Sequence, residues 1–343
     1  MRQEVLLGVS DTRRTQYFMQ AAKQAGLAPL FWEWGNWQEK IKESAQTGIV
    51  MKIDPPRWNS CDLIELDSLV RDYKKQLDEL AYAADKYDIQ FWNHPSAIEA
   101  LLDKAKCKET LRSLRLPVTE PVTENAVQDT GQLLEAMQSR GVYQVFIKPV
   151  NGSGAAGVSA FRWQKGSGRM ALYTCTLHQP GKGLVNTKRL RYFSDSSQII
   201  SFLDRLLEME CVIERWYAKD EYQGYSYDMR AVVQDGRMDY LLARLSKGPI
   251  TNLQLNNRPL DMESLGLSSA VLDEMEEVCL KAMEPFPGLL GAGIDILLEK
   301  GSRKPRIIEM NGQGDLIYHD IFHKNKIYRR QAEFMKRMGE KYE

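Results

Sequence analysis

Carboxylates interrupt two predicted strands near the C-terminal end of the chain that are otherwise apolar. Asp295 lies within the predicted strand Ala292 to Leu298, and Glu309 lies within Arg306 to Met310. An unpaired charge inside a sheet costs free energy, so each carboxylate must be paired with a cation or have a functional role. Glu309 and Asn311 are two residues apart and project from one face, where a neighbouring strand can bring a further carboxylate beside them. Such oxygen ligands suit Mg²⁺; an arginine partner on the sheet is the alternative.

A lysine on a predicted strand, followed by a glycine-rich turn, is the second feature. Lys148 lies within the strand Tyr143 to Pro149, and the turn runs from Asn151 to Gly157. An ammonium group and several backbone N–H groups at such a turn can surround phosphate oxygens. A glycine-rich hairpin with a surface lysine is the other interpretation.

Arginines on two further predicted strands form the third feature. Strand alternation places Asp228 and Arg230 on one face, and Arg244 lies on the following strand, before Asn252. A planar guanidinium group can hold a carboxylate or the charge that develops on a transferred phosphoryl group. Pairing with sheet carboxylates is the alternative role.

The strand Cys211 to Tyr217 ends in mixed polar and aromatic residues. Backbone groups at such a strand end can read the edge of an adenine base, and Trp216 is equally compatible with a place in the core. Between the strands Arg169 to Thr176 and Arg189 to Phe193 lies a basic, glycine-bearing stretch, for which a solvated hairpin tip is favoured over a mobile loop.

Length and composition narrow the classes of protein. A chain of 343 residues accommodates two or three domains. The 46 basic residues balance 46 acidic ones, so the whole molecule offers no electrostatic case for binding nucleic acid or an anionic membrane. Five cysteines without a C-x-x-C pair indicate reduced thiols, and apolar stretches are too short for a signal peptide or a bilayer span. We therefore expect a cytoplasmic protein.

The first hundred residues alternate between strand and helix patterns, which predicts a small open α/β unit. Predicted strands run from Val5 to Val9, Ala28 to Trp34 and Gly48 to Ile53. A G-x-G-x-x-G turn is absent, so a dinucleotide site there is unsupported. A linker at Asn93 to Pro95 enters the next helix, with Ser96 as the expected N-cap.

The order of these features resembles the ATP-grasp superfamily, closest in style to glutathione synthetase and the ribosomal-protein glutamate ligases, from about Ser96 to Asp315. The resemblance implies a mixed α/β (α+β) ATP-grasp fold. It also implies an N-terminal α/β domain (1–95), a central and lid subdomain (96–210) and a C-terminal subdomain with the metal site (211–343), the last two clamping ATP.

The resemblance assigns roles to individual residues. ATP contacts are implied for Lys104, Lys148, Ser153, Gly154, Gly157, Glu214, Trp216 and, more weakly, Glu221. Mg²⁺ ligands are implied at Asp295, Glu309 and Asn311, and catalytic or substrate-side roles at Arg230, Arg244 and Asn252. The spacing to Leu116-Pro117 favours Lys104 over its neighbours Lys106 and Lys108. Two departures weaken the substrate side: Asn311-Gly312-Gln313-Gly314-Asp315 replaces Asn-x-x-Pro-Gly, and no glycine pair follows Asn252.

The activity implied is an ADP-forming, ATP- and Mg²⁺-dependent ligase that activates a carboxylate as an acyl phosphate for attack by an amine or another nucleophile. The substrates are then small molecules or peptides, and a homodimer is left open. A peptide-modifying ligase forming amide or ester bonds is one alternative, with the basic stretch Lys182 to Arg191 able to accommodate a peptide. A non-catalytic ATP-binding regulator is another, and a zinc hydrolase using His319 and His323 is a third.

Overall fold

The computed structural model describes residues 2–44, 48–152, 154–255, 257–313 and 325–340. Its N-terminal part is a parallel sheet with helices on both faces, as the alternating pattern predicts. The elements are β1 (Gln3–Gly8), α1 (Arg13–Gln24), β2 (Leu30–Glu33), α2 (Trp37–Glu43), β3 (Ile49–Ile53), α3 (Leu63–Lys86) and β4 (Ile89–Phe91), and the strand order is β2-β1-β3-β4.

The two central strands of this sheet are buried on both faces, which explains their continuous apolar runs. Every residue of β3 is buried. Helix α3 covers one face through Tyr73, Leu77 and Leu80, and α1 covers the other through Phe18. Helix α3 begins at Asp62, whose carboxylate accepts hydrogen bonds from the first-turn N–H groups.

An antiparallel sheet forms the middle of the molecule. This region contains α4 (Pro95–Leu102), α5 (Lys104–Ser113), α6 (Thr130–Ser139), β5 (Gln144–Pro149), β6 (Ser159–Gln164), β7 (Arg169–Gln179), β8 (Gly183–Phe193), α7 (Ser196–Leu207) and β9 (Cys211–Arg215). The strand order is β8-β7-β6-β5-β9, so the predicted boundary at 210/211 falls just before the last strand of this sheet. Helices α6 and α7 cover its apolar face with Leu133, Met137 and Leu203.

The second antiparallel sheet carries the C-terminal strands. The elements are β10 (Glu221–Tyr222), β11 (Tyr225–Gln234), β12 (Arg237–Ser246), β13 (Arg258–Asp261), α8 (Ser269–Met283), β14 (Gly291–Leu298), β15 (Pro305–Asn311) and α9 (Lys326–Glu340), with short 3-10 turns at Leu253–Leu255 and Met262–Leu265. The order is β13-β12-β11-β14-β15, with β10 paired to β11. Helices α4, α5 and α8 contribute to its core, whereas α9 returns to pack against α1.

Two local predictions change in the structure. Ser96 was expected to cap α4, but the cap is His94, whose imidazole accepts from the Ser96 N–H, with Pro95 at the first helical position. Asn93, expected in a linker, is buried and ties the N-terminal part to β14: its Oδ1 accepts from the N–H groups of Leu290 and Gly291. The basic stretch near residue 183 forms the β7–β8 hairpin, which is the interpretation favoured from the sequence.

Within the residues described, no helix is both long and apolar enough to cross a membrane. His319 and His323, the pair considered for the zinc-hydrolase alternative, and the predicted nucleotide ligand Ser153 lie outside the described residues.

Candidate active site

The three sheets converge on one cavity of about 500 Å³. Many residues predicted from the sequence line it together: Lys104, Lys148, Gly154, Glu214, Arg230, Arg244, Asn252, Asp295, Glu309 and Asn311. These residues come from α5, β5, β9, β11, β12, β14, β15 and two loops, so the cavity is assembled by tertiary contacts between segments far apart in the chain.

Glu214 lies at the centre of a buried cluster of charges. It is 2% exposed on β9, opposite Phe146 of β5. Its Oε2 accepts hydrogen bonds from Lys148 Nζ at 2.8 Å and from the Thr119 hydroxyl at 2.7 Å. Its Oε1 accepts a further hydrogen bond from Lys108. One carboxylate thus serves two buried ammonium groups, which leaves the cluster with a net positive charge.

Burial and the neighbouring charges shift the pKa values of this cluster in different directions. Burial alone would raise the pKa of Glu214, but the ammonium groups of Lys108 and Lys148 outweigh it and hold that pKa at about 2. Burial lowers the pKa of Lys108 to about 8, against the attraction of Glu214. For Lys148, burial is outweighed by Glu214, and its pKa is raised. Lys148 therefore remains a cation, as its predicted role in binding phosphate would require.

Lys104 reaches the cavity from the first turn of α5. Its Nζ donates to the carbonyl oxygen of Gly152 at 2.6 Å and lies 3.7 Å from Glu309 Oε1. Its neighbour Lys106 points to solvent, with a side chain that is 73% exposed, and Lys108 turns inward to Glu214. Of the three lysines considered from the sequence, only Lys104 lines the cavity.

The glycine loop after β5 adopts backbone conformations that favour glycine. Gly154 and Gly157 have φ of 64° and 74°. A Cβ at Gly157 would lie 2.5 Å from Pro149 Cγ, so a larger residue is excluded by space as well as by φ. Gly154 lines the cavity, whereas Gly157 shapes the loop from behind.

Arginines and carboxylates alternate across the neighbouring strands β12, β11 and β14. Arg244 stands opposite Asp228 and Arg230 stands opposite Asp295. Arg244 donates through Nε to Asp228 at 2.8 Å, and its terminal nitrogen lies 3.1 Å from Asp295. Arg230 Nε donates to Asp295 at 2.5 Å, while its Nη1 has no hydrogen-bond partner among the described residues. The sheet-pairing role weighed from the sequence is therefore present, and both arginines also line the cavity.

Sequence reasoning missed two members of this network. Lys219 Nζ donates to Asp228 at 2.9 Å and to the Thr251 hydroxyl at 2.9 Å, and both residues line the cavity. Neither residue lies in a motif, because Lys219 follows β9 and Thr251 lies in the loop after β12.

In the separate Glu214 cluster, Lys108 was missed as a partner of that carboxylate, although its four-residue spacing from Lys104 predicts that both share one face of α5.

The predicted metal ligands meet in register. Asp295 stands opposite Glu309, and Gly293 stands opposite Asn311. The Glu309 side chain is 41% exposed and lines the cavity with Asn311, whereas both oxygens of Asp295 face arginines. In the described part of the chain, no group of three or more His, Cys, Asp or Glu can hold a metal by itself. Mg²⁺ usually takes one or two carboxylates plus water and phosphate oxygens, so the exposed oxygens of Glu309 and Asn311 fit it.

Two predicted nucleotide contacts lie elsewhere. Trp216 does not line the cavity; its indole packs against Phe146 and lies under the Arg162 guanidinium, 4.1 Å from the ring centroid. Its backbone N–H and carbonyl are both hydrogen bonded to Gln144. Glu221 is half exposed on β10 and pairs with Lys300. The cavity instead offers apolar side chains that the sequence did not single out, among them Phe146, Leu297, Ile308 and Met310.

No protein-family model and no curated protein matches this sequence. Solved structures do match over nearly the whole chain. D-cycloserine synthetase DcsG has 11% sequence identity and a TM-score of 0.64, with 98% of this chain and 99% of that chain covered. The ATP-grasp ligase PsnB, complexed with a phosphomimetic variant of its minimal precursor, Mg and ADP, has 14% identity and a TM-score of 0.60, with 99% and 98% covered. The macrocyclase MdnC from Microcystis aeruginosa, bound to precursor peptide MdnA, has 11% identity and a TM-score of 0.62, with 98% and 100% covered.

The fold class is therefore settled: the chain is a mixed α/β protein whose three sheets surround one cavity. Its fold is the ATP-grasp fold, and its structural neighbours are ATP-grasp ligases. Two of these neighbours, PsnB and MdnC, were solved with precursor peptides. The resemblance predicted from the sequence is confirmed at the level of the fold.

Proposed function

We propose that this protein is an ATP- and Mg²⁺-dependent ligase that activates a carboxylate as an acyl phosphate and joins it to an amine, releasing ADP. The observation that carries this proposal is the meeting of Lys104 and Lys148 with Glu309 and Asn311 in one cavity. A site for a Mg²⁺-bound nucleoside triphosphate requires cations that neutralise the phosphates and oxygen ligands that hold the metal ion.

The nucleotide would lie along the wall formed by β5, β9 and β15. Lys148 and Lys104 are placed to neutralise phosphate charge, and the backbone of the glycine loop can donate N–H groups to phosphate oxygens. Phe146, Leu297 and Ile308 provide an apolar slot for the adenine ring. Glu214 keeps Lys148 charged and oriented, so it acts on the nucleotide through that lysine.

Glu309 and Asn311 would hold Mg²⁺, with Asp295 across the strand pair. When bound, the metal would neutralise charge on the phosphates and fix their geometry. Arg244 and Arg230 face the same space and can bind the substrate carboxylate and the charge that builds on it.

The chemistry needs no nucleophilic side chain. The substrate carboxylate oxygen attacks the γ-phosphorus, and the bond from that phosphorus to the β,γ-bridging oxygen breaks, its electron pair leaving on ADP. The amine lone pair then attacks the acyl carbon, the C–O bond to phosphate breaks, and the amine proton passes to the phosphate or to solvent. Positioning and electrostatic stabilisation by the cavity supply the acceleration.

The test is ADP release from Mg-ATP across pools of carboxylates and amines, comparing the native chain with Glu309→Gln. Glu109→Gln, an exposed substitution on α5, is the matched control. We expect one pool to stimulate ADP release in the native chain and the control but not in Glu309→Gln. ATP binding without stimulation by any small or peptide acid would favour a non-catalytic nucleotide-binding protein, and absence of ATP binding would refute the proposal.

A peptide-modifying ligase is the second candidate, because the β7–β8 hairpin beside the cavity is basic. Lys182, Lys188, Arg189 and Arg191 are exposed on or next to β8, which carries no carboxylate, and Lys188 lines the cavity. PsnB and MdnC, with the same fold, were solved with precursor peptides. A triple Lys188→Gln, Arg189→Gln, Arg191→Gln variant should weaken stimulation by acidic peptides. Stimulation by small acids alone would exclude this candidate.

We also propose a reducing compartment such as the cytoplasm, since the five cysteines are all free.

A further inference from the structure

Two neighbouring side chains of β7 hold the backbone of the glycine loop. The hydroxyl of Thr176 accepts a hydrogen bond from the Gly157 N–H at 3.1 Å. The thiol of Cys175 donates to the carbonyl oxygen of Ala155, with sulfur and oxygen 3.4 Å apart. A regular strand sends neighbouring side chains to opposite faces, so these two would not both reach one loop. The register of β7 against β8 shifts between Thr174 and Thr176, and this irregularity accounts for the shared direction.

Two further hydroxyl groups bind the end of the same loop. The Thr174 hydroxyl donates to the carbonyl oxygen of Val158 at 3.1 Å, and the Ser159 hydroxyl on β6 donates to the carbonyl oxygen of Gly157 at 3.1 Å. Ser159, Thr174 and Thr176, which we call the hydroxyl cluster, are all fully buried. Buried hydroxyl groups need hydrogen-bond partners, and the backbone of the loop supplies them.

The loop needs this support because its backbone adopts a conformation that alanine rarely takes. Ala155 has a φ of 64°, in the left-handed region. That conformation costs free energy for a residue with a Cβ, and it persists where surrounding contacts fix it. The Ala155 carbonyl oxygen accepts from the Cys175 thiol and from the Val158 N–H, the latter at 3.2 Å. A loop fixed in this way does not have to be ordered by its ligand, which lowers the free-energy cost of binding.

The backbone that the hydroxyl cluster supports faces the cavity. Gly154, Ala155 and Ala156 line the cavity, as do the two lysines proposed to bind phosphate. Thr176 itself does not line it. The Thr176 hydroxyl therefore has no direct contact with a ligand in the cavity and would act on one only through the loop.

We propose that Thr176 is a positioning residue for the nucleotide phosphates: with Thr174 and Ser159 it sets the glycine loop in its phosphate-binding conformation before ATP arrives. The inference rests on the nucleotide site of the proposed function and adds to it the residues that hold the loop. Thr176 is the member to test, because a methyl group in place of its hydroxyl leaves the buried Gly157 N–H without an acceptor.

The test compares Thr176→Val, which keeps the shape of the side chain and removes the hydroxyl, with Thr176→Ser, which keeps the hydroxyl. Titration calorimetry measures binding of a non-hydrolysable Mg-ATP analogue and of adenosine, which has no phosphates. We expect Thr176→Val to bind the analogue about tenfold or more weakly and adenosine within about twofold of the native chain. Thr176→Ser should bind the analogue within about threefold of the native chain.

Thr130→Val is the matched control, since it removes another buried hydroxyl, one that donates to the Ile200 carbonyl oxygen at 3.5 Å and does not line the cavity. It should bind the analogue as the native chain does. Amide hydrogen exchange of the ligand-free chain is the second measurement. Exchange at residues 154–158 should be faster in Thr176→Val than in the native chain and unchanged in Thr130→Val. If Thr176→Val does not fold, Thr174→Val, which removes a donor from the same cluster, replaces it with the same expectations.

Native affinity of Thr176→Val for the analogue, unchanged exchange in the loop, or equal weakening of the analogue and adenosine would overturn the positioning role. The ligase proposal would stand in each of these cases. Weakening confined to the analogue, without ADP release from any substrate pool, would refute the ligase proposal and support the positioning role. Absence of ATP binding by the native chain would refute both.

Discussion

Lys148 Nζ and Glu214 Oε2 lie 2.8 Å apart on the neighbouring antiparallel strands β5 and β9, both almost fully buried. The lysine proposed to bind phosphate is therefore oriented by a carboxylate on the neighbouring strand β9. Lys108 donates to the same carboxylate. Removal of the Glu214 carboxylate would therefore leave two buried ammonium groups facing each other.

Glu214→Gln should destabilise the protein by about 3–5 kcal/mol, the cost typical of breaking a buried ion pair from one side. Urea unfolding measures the change in the free energy of unfolding. Glu109→Gln, which changes an exposed carboxylate on α5, should alter it by less than about 0.5 kcal/mol. Equal effects of the two substitutions would mean that the Glu214 cluster contributes no net stability.

The same carboxylate predicts how stability depends on pH. Its pKa in the folded state is about 2, below the ordinary value of 4.5, so its contribution is fully present above about pH 4.5 and is lost as the pH falls towards 2. Unfolding measured at pH 6 and pH 2.5 should show a loss of about 2–3 kcal/mol from this group. In Glu214→Gln this part of the acid sensitivity should be missing; an identical pH profile would contradict the assignment.

Lys104→Gln should weaken ATP binding about tenfold or more, because one charge-assisted contact to phosphate is lost. Lys106→Gln, two residues further along α5 and exposed to solvent, is the matched control and should bind ATP as the native chain does. Titration calorimetry with a non-hydrolysable ATP analogue and Mg²⁺ separates the two. Comparable losses in both variants would indicate a diffuse electrostatic effect instead of a contact.

Gly157→Ala should destabilise the protein by about 1–3 kcal/mol more than Gly168→Ala, since the added Cβ meets Pro149 as well as an unfavourable φ. Gly168 has a similar φ of 69° but open space around it, so its substitution isolates the backbone cost. Thermal unfolding provides the comparison. If both alanines cost the same, the loop can move away from Pro149.

Arg244→Lys should lower carboxylate-dependent ADP release about 100-fold although the charge is retained, because an ammonium group cannot bridge Asp228 and Asp295 as the planar guanidinium does. Arg237→Lys, at the exposed start of the same strand, should have no effect. Steady-state ADP release at saturating ATP provides the measurement. Full activity of Arg244→Lys would restrict this arginine to sheet pairing.

Much of the secondary structure follows from local patterns. The apolar runs of β1, β3, β14 and β15 and the helical spacing in α3 were predictable, since burial on one or both faces leaves a periodic trace in the chain. Cap and linker positions were less secure: the choice between Ser96 and His94 depends on geometry that composition does not encode.

The candidate site residues also fall into two groups, those that local sequence patterns predict and those that only the folded geometry reveals. Lys148, Glu309 and Asp295 stand out because a charge within an apolar strand, or beside a glycine turn, requires an explanation. Lys219 and Thr251 carry no such signal, because they lie in loops whose neighbours are set by distant strands.

The sequence by itself determined which residues are charged within apolar strands and in what order the lysines, the arginines and the acidic residues follow one another. Only the tertiary structure decided which charges neutralise one another and which face the cavity. The register across β12, β11, β14 and β15 directs Asp295 to two arginines and leaves Glu309 exposed. The meeting of the three sheets brings Asp54 and Arg57 of the N-terminal part to the same cavity. Electrostatic interactions depend on distance and burial, and both are properties of the folded chain.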